Sequence, residues 1–293
     1  MRKLFSILSV CLALGAISAQ AQTLDKDGLR YSVVESNGVS VCVNPDDTTF
    51  LRGRVVIPSK IDIEGVNYNV VALTDTAFKN CDLIKTLVIP ASVKHIGKNV
   101  VDYCYALNSF EVEKGGSYKS EEGILFTADG TELVSCPAGK GGEYVVPASV
   151  KTIHPSAFAS CKNLSKITLP EGLKEIGDYT FFECWGLADV EFPNSLESIG
   201  NYAFDGTILQ FLFFGKNLKH IGDHAFDRSS MVEVMLLVSN PPTLGNDVFG
   251  GDMGYTRLYV PVGSRAKYKK SEWKVFPIMY EGNKTRRWMG TYR

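Results

Sequence analysis

From residue 144 onward the chain repeats one arrangement of apolar and polar positions. The segments YVVPASVKTIHPSAFASCKNLSK, ITLPEGLKEIGDYTFFECWGLAD, VEFPNSLESIGNYAFDGTILQ and LFFGKNLKHIGDHAF can be laid over one another. Pro147, Pro170 and Pro193 fall 23 residues apart. Ile153, Ile176, Ile199 and Ile221 step by 23, 23 and 22, and Phe158, Phe181, Phe204 and Phe226 step identically. Each unit opens with a short alternating run, the period of a strand whose side chains point to opposite faces. Self-similarity at this period predicts a solenoid, in which each unit buries its apolar side only against its neighbours.

The same register runs backwards. VVIP (55–58) opens a first unit with an insert at 61–69, LVIPASVKHIG (87–97) a second, and Phe110-Glu-Val112 a third strand 23 residues after Leu87. Ahead of these, LRYSVVE and VSVCV flank Ser36-Asn37-Gly38, and Asn-Gly between alternating runs predicts a hairpin. That hairpin is placed to cap the first unit. Between 113 and 143 the pattern is interrupted by GILFT and ELVS around Ala128-Asp129-Gly130-Thr131. Insertions in solenoids map to loops on one face, so this second hairpin is expected to project as a flap. Beyond Phe226 the pattern decays: 265–273 reads as helical and 276–280 as extended. The expected organisation is a leader at 1–21, a hairpin cap at 22–54, a solenoid at 55–237 with the flap at 113–143, and a mixed C-terminal cap and tail at 238–293.

Charge and composition narrow the function classes. Lys plus Arg (31) nearly cancels Asp plus Glu (32), so there is no chain-wide basic field for nucleic acid or anionic membrane. The first 21 residues differ in kind. Arg2 and Lys3 precede a nearly apolar stretch that ends in Ala19-Gln20-Ala21, the layout of a secretory signal peptide. No later stretch has 18 uninterrupted apolar residues, so no membrane-spanning helix is expected. The reading is a secreted or cell-surface protein.

The units L-x-x-I-x-I-P-x-S-V-x-x-I-G-x-x-A-F-x-x-C resemble those of the BspA-type leucine-rich-repeat proteins, exported surface proteins of anaerobic bacteria. The resemblance extends to YKSEEGILF (118–126) and to NPPT…LYVPVGS…Y…W…F (240–276), and so covers essentially the whole mature chain. Val100-Val101 departs from it by standing for Ala-Phe, and Gly215 by standing for Pro. The resemblance implies a β-rich leucine-rich-repeat solenoid with a parallel concave sheet. It also implies a role in adhesion or partner binding, without catalysis.

Few residues carry chemistry of their own. Cys81, Cys104, Cys161 and Cys184 share one repeat position, and Cys81 to Cys104 and Cys161 to Cys184 are each 23 apart. Stacked strands lie roughly 4.8 Å apart with parallel side chains, which leaves the Cβ atoms beyond the roughly 3.8 Å a disulfide prefers. Buried thiols acting as small apolar residues are therefore expected. No Cys-x-x-Cys occurs. His220 and His224 lie four apart, but His220 aligns with His95, Thr152, Glu175 and Ser198, a variable, solvated position. No nucleophile elbow, phosphate loop or dinucleotide fingerprint occurs, so neither catalysis nor a cofactor is expected.

Strand parity gives the sharper signal. The residues flanking the first inward position of each strand should face out: Arg54/Val56, Thr86/Val88, Ser109/Glu111, Glu143/Val145, Lys166/Thr168, Asp189/Glu191, Phe211/Phe213, Glu233/Met235 and Arg257/Tyr259. The early pairs are polar or small. The last three carry Phe211, Phe213, Met235 and Tyr259, rimmed by Asp189, Glu191, Glu233 and Arg257. These eight residues form the expected binding surface for a protein or glycan partner, unless the tail with Trp288 and Met289 folds over them. A passive envelope scaffold is the alternative, and a hydrolytic enzyme a more distant one. Oligomeric state is not encoded in any of these patterns.

Overall fold

The computed structural model describes residues 23–35, 38–43, 51–229, 231–251 and 253–282. The leader at 1–21 and the tail with Trp288 and Met289 lie outside the described residues. Two lines of strand run along the array. The longer strands form three parallel segments: Gly53–Val56, Ile84–Ile89 and Ser109–Val112; then Gly141–Val145, Asn163–Thr168 and Asp189–Glu191; then Phe211–Phe214, Glu233–Leu236, Arg257–Val260 and Ile278–Glu281. Two-residue strands such as Glu175–Ile176, Ser198–Ile199 and His220–Ile221 form the second line, one per unit. Among the described residues, helix is confined to Arg265–Lys269 and two 3-10 turns. The fold is the β-rich solenoid that the repeat predicts.

Between the two lines the aromatic position forms a spine. Phe181 is fully buried. It stacks on Phe158 at 5.0 Å and on Phe204 at 4.9 Å, and Phe226 and Phe249 continue the column. The turns after each I-G pair are hydrogen-bonded between units, not within a helix. In one unit the Tyr179, Phe181 and Glu183 N–H groups donate to the Asn201, Ala203 and Asp205 carbonyls of the next. This ladder needs positive φ twice per unit, and the chain supplies it at Tyr179 (57°) and Glu183 (56°), and again at Tyr202 (54°) and Gly206 (75°). Such conformations cost free energy when isolated; here the ladder on both sides holds them in place.

The glycine of I-G is explained by its neighbour. Asp178 Oδ1 accepts the Asn201 N–H at 2.7 Å, Asn201 Oδ1 accepts that of Asp223 at 2.8 Å, and Asp223 Oδ1 accepts that of Asn246 at 2.7 Å. Each of these oxygens occupies the space where a Cβ would stand on the following glycine. A Cβ on Gly200 would lie 2.5 Å from Asp178 Oδ1 and 2.6 Å from the Asp178 nitrogen. Gly177 follows Pro155, and a Cβ there would meet nothing nearer than the proline ring at 3.3 Å.

The insert overturns one expectation. The strands Tyr118–Glu121, Ile124–Thr127 and Glu132–Ser135 form an antiparallel meander, but it does not project as a flap. Glu132–Leu133 pairs in parallel with Thr152–Ile153, so the meander ends as a shortened unit of the array. Ile124, Phe126 and Leu133 pack into the C-terminal core, whereas Leu125 and Val134 pack into the N-terminal one. Alternate residues of the same strands face two cores, which demands burial on both sides. Because this unit lacks the usual turn, the turns on either side of it meet, with Ser160 Oγ donating to Asp102 Oδ1 at 2.7 Å.

The two ends differ. At the C-terminus Trp273 and Phe276 close the phenylalanine column against Phe249, with ring centroids at 5.6 and 5.1 Å. Trp273 Nε1 donates to the Pro242 carbonyl and the Tyr268 hydroxyl to that of Val238, so the NPPT turn is where the cap docks. The expected helix at 265–273 stops early, because Ser271 interrupts it and caps a separate 3-10 turn, Glu272–Val275. At the N-terminus the strands Thr23–Lys26, Leu29–Glu35 and Gly38–Val43 form an antiparallel meander. Its last strand pairs in parallel with Val66–Leu73.

Candidate functional site

The long strands hold the register that parity predicts. Lys166 lies opposite Asp189 and Thr168 opposite Glu191. In the C-terminal segment Phe211, Glu233, Arg257 and Ile278 form one rung, and Phe213, Met235, Tyr259 and Tyr280 a second. Between them Leu212, Val234, Leu258 and Met279 point into the core. Phe211, Phe213, Met235 and Tyr259 therefore do form one apolar cluster, separate from both cores.

Their expected exposure is corrected. Met235 and Tyr259 are only 1% and 5% accessible, and Glu233 is 5% accessible. Phe211 and Phe213 are half-buried. Tyr280, which the parity argument did not reach, stacks on Tyr259 at 5.2 Å and stays 48% exposed. The physical reason is lateral crowding: four consecutive large side chains on one rung cover each other in a way that the Ser, Thr and Lys of earlier rungs do not. The signal for Tyr280 was present in the IMYE run (278–281), whose alternation continues the sheet by one strand.

Charge is arranged around this cluster in two ways. Arg257 Nη1 donates to Glu233 Oε1 at 2.8 Å, and the Tyr259 hydroxyl donates to the same oxygen at 3.4 Å. Hydrogen bonding to Tyr259 and the Glu233 charge hold the Arg257 guanidinium above its ordinary pKa. The Glu233 carboxylate is thereby satisfied while buried, as a buried charge must be. Asp189 and Glu191 are not brought into the cluster. They flank Lys166 at 3.3 and 2.9 Å in the neighbouring segment, where hydrogen bonding to Glu191 and the Asp189 charge raise the lysine pKa.

A second surface escaped the sequence reading because it lies on the turns. Trp185 is 53% exposed. Along the same turn position, the Lys162 ammonium sits 4.1 Å from the centre of the Tyr105 ring. Beside them Arg228 pairs with Asp205 through two bonds of 2.8 Å, approaches Glu183 at 3.7 Å and lies over the Phe182 ring. Aligning the residue after each repeat cysteine (Asp82, Tyr105, Lys162, Trp185) would have exposed this column. The histidines are not a pair: His220 bonds Thr243 at 2.9 Å from a strand, whereas His224 sits in a turn, stacked on Tyr202 and bonded to Asp227. Among the described residues no group of three or more His, Cys, Asp or Glu side chains could hold a metal ion, and no helix could cross a membrane.

A family model for the "BspA type Leucine rich repeat region" matches in six copies over residues 59–126 and 142–254. No curated protein matches the chain. The pneumococcal vaccine antigen PcpA is a similar solved structure, with 16% identity, coverage of 90% of this chain and 99% of that one, and a TM-score of 0.46. A leucine rich repeat protein of T. pallidum gives 24% identity, 86% and 96% coverage, and a TM-score of 0.39. A leucine rich cell surface protein of Faecalibacterium prausnitzii gives 15% identity, 93% and 98% coverage, and 0.43.

Proposed function

This chain belongs to the BspA-type leucine-rich-repeat family, and from that premise we propose that it is an exported, non-catalytic module that binds a protein or glycan at a cell surface. The observation that carries this reading is the apolar cluster of Phe211, Phe213, Met235 and Tyr259, which lies on a sheet face outside both cores. Phe211 and Phe213 stay only half-buried on that face, and apolar patches rimmed by charge mark binding sites. Within it Phe211, Phe213 and Tyr280 are the anchors that a partner reaches, Met235 and Tyr259 are the layer beneath them, and the Arg257–Glu233 pair orients one edge. Export rests on the leader at 1–21, and the named surface protein among the similar structures is consistent with it.

The test is capture of partners from surface extracts and on glycan arrays by wild-type protein and by Phe211→Ser with Phe213→Ser. Loss of capture at an unchanged melting temperature is expected. Tyr259 is unsuited to this test, because its burial ties it to stability. Trp185 favours a second reading, in which the turn face is the binding surface. In that case Trp185→Ala abolishes capture and the sheet variants do not.

A further inference from the structure

If the sheet strip is the binding face, as proposed above, its chemistry also selects the class of partner. The rung Phe213, Met235, Tyr259 and Tyr280 crosses four strands, a span of about 14 Å at roughly 4.8 Å per strand. Tyr259 and Tyr280 stack with centroids 5.2 Å apart and planes 20° from parallel. That separation is close to the strand spacing, so the two rings turn their faces to each other along the array and direct their edges towards solvent. A pyranose ring lies flat on an aromatic face, and the Tyr259 face is covered by Tyr280. Met235 fills the place between Phe213 and Tyr259 with an unbranched thioether, which adapts to irregular apolar side chains.

Polar groups on the strip point the same way. A glycan brings many hydroxyls, and each needs a partner when it is buried. Here the polar side chains are engaged with one another: Glu233 Oε1 accepts from Arg257 at 2.8 Å and from the Tyr259 hydroxyl at 3.4 Å. That pair is neutral overall, so the charge on this face comes from the neighbouring strands. The Phe192 and Phe214 rings lie 5.0 Å apart, which sets the strand Asp189–Glu191 directly beside Phe211–Phe214. In register with it, Glu143 lies opposite Lys166, and Lys166 opposite Asp189. Lys166 is shared between Asp189 and Glu191 at 3.3 and 2.9 Å, and Glu143 is exposed. Glu143, Asp189 and Glu191 against Lys166 make three carboxylates against one ammonium, so the face beside the strip is negative.

We infer that the strip binds a protein segment carrying paired apolar side chains with a lysine or arginine close by, and not a glycan. The apolar side chains pack against Phe211, Phe213 and Tyr280, with Met235 beneath them. The cation faces Asp189 and Glu191. One to two strand spacings separate these carboxylates from the strip, about 5–10 Å, which an extended segment covers in about two to three residues. The apolar anchors carry the affinity, and the acidic rim sets the orientation and speeds the encounter.

Selection from a phage-displayed dodecapeptide library tests this on wild type, on Phe211→Ser with Phe213→Ser, and on Asp189→Asn with Glu191→Gln. Each protein is first shown to melt as wild type does, and Glu191→Gln alone replaces the double amide variant if that one is unstable. Wild type should enrich peptides with paired apolar residues and a Lys or Arg within about three positions of them. The phenylalanine variant should lose this enrichment, and the amide variant should keep the apolar preference and lose the basic one. A synthetic peptide from the wild-type selection should bind the double amide variant roughly fivefold more weakly at about 0.1 M salt, a difference that closes near 1 M. If wild type and the phenylalanine variant enrich the same peptides, the sheet is not the binding face and the underlying reading falls with the inference. The inference alone falls if the selected peptides depend on the phenylalanines but show no basic preference, or an acidic one. It also falls if wild type enriches no peptide, or if it captures neutral glycans on an array through the same phenylalanines.

Discussion

Gly177 and Gly200 occupy one position in successive units, and alanine should be tolerated at the first and rejected at the second. Neither has positive φ, so backbone conformation does not separate them. At Gly200 the new methyl would stand 2.5 Å from Asp178 Oδ1, 2.6 Å from the Asp178 nitrogen and 2.7 Å from the Gly177 carbonyl carbon. The carboxylate can swing away, which forfeits its 2.7 Å bond to the Asn201 N–H, but the two backbone atoms cannot. Overpacking of this kind costs about 1–3 kcal/mol. The lost bond is solvent-exposed and adds about 1 kcal/mol. Replacing glycine lowers the entropy of the unfolded chain and returns about 0.4–1 kcal/mol. The net expectation for Gly200→Ala is a loss of about 2–3 kcal/mol. At Gly177 the nearest atom is Pro155 Cγ at 3.3 Å, a ring carbon that can move, so Gly177→Ala should stay within about 1 kcal/mol of wild type. Urea unfolding followed by circular dichroism measures both, with equal m-values required for the comparison. Equal losses, or a larger loss at Gly177, would show that the Asp/Asn ladder does not dictate this glycine.

The remaining predictions concern the core, the thiols and the tyrosines. Phe181→Ala removes a fully buried ring stacked on both sides and should cost about 3–5 kcal/mol in the same assay; a loss under about 1 kcal/mol contradicts the stacked spine. Cys104, Cys161 and Cys184 are buried thiols, and burial pushes the Cys184 pKa up, so these three should react with thiol reagents only on unfolding. Mass spectrometry finding Cys161 and Cys184 bridged in native protein would count against this. Tyr31 and Tyr103 have pKa values raised to about 12, chiefly by burial, from an ordinary value of 10.0. A raised pKa contributes stability that is complete below the unfolded value and lost above it, so alkaline destabilisation should begin near pH 10 and deepen towards pH 12. Phenolate absorbance should lag behind that of free tyrosine until the fold is lost.

What the sequence discloses follows from what each feature depends on. Period and parity are local, so the order of the units, the inward and outward residues and the strand-to-strand register from Arg54 to Tyr259 could all be read from spacing. The burial of Met235 and Tyr259 could not, since it depends on four large residues meeting across four strands. The insert at 113–143 resembles a loop because its alternation is short and its ends are glycine-rich. Only the three-dimensional placement of Leu125 and Val134 against Ile124, Phe126 and Leu133 makes it a bridge between cores. The turn-face cluster went unread because no period of two or 3.6 applies there. Its side chains are set by left-handed residues such as Tyr103 and Glu183 and by the contact of units separated in sequence. The Asp/Asn ladder was visible as I-G-D and I-G-N, but its meaning is a contact between units.

The most direct test of the binding assignment is a parallel capture experiment with three immobilised proteins: wild type, Phe211→Ser with Phe213→Ser, and Trp185→Ala. Each is first shown to melt at the same temperature. Central aromatic anchors usually carry about 2 kcal/mol or more apiece. A partner held by wild type and by Trp185→Ala, and lost by the sheet variant, is the predicted result. A partner retained by the sheet variant and lost by Trp185→Ala would contradict it and move the site to the turns.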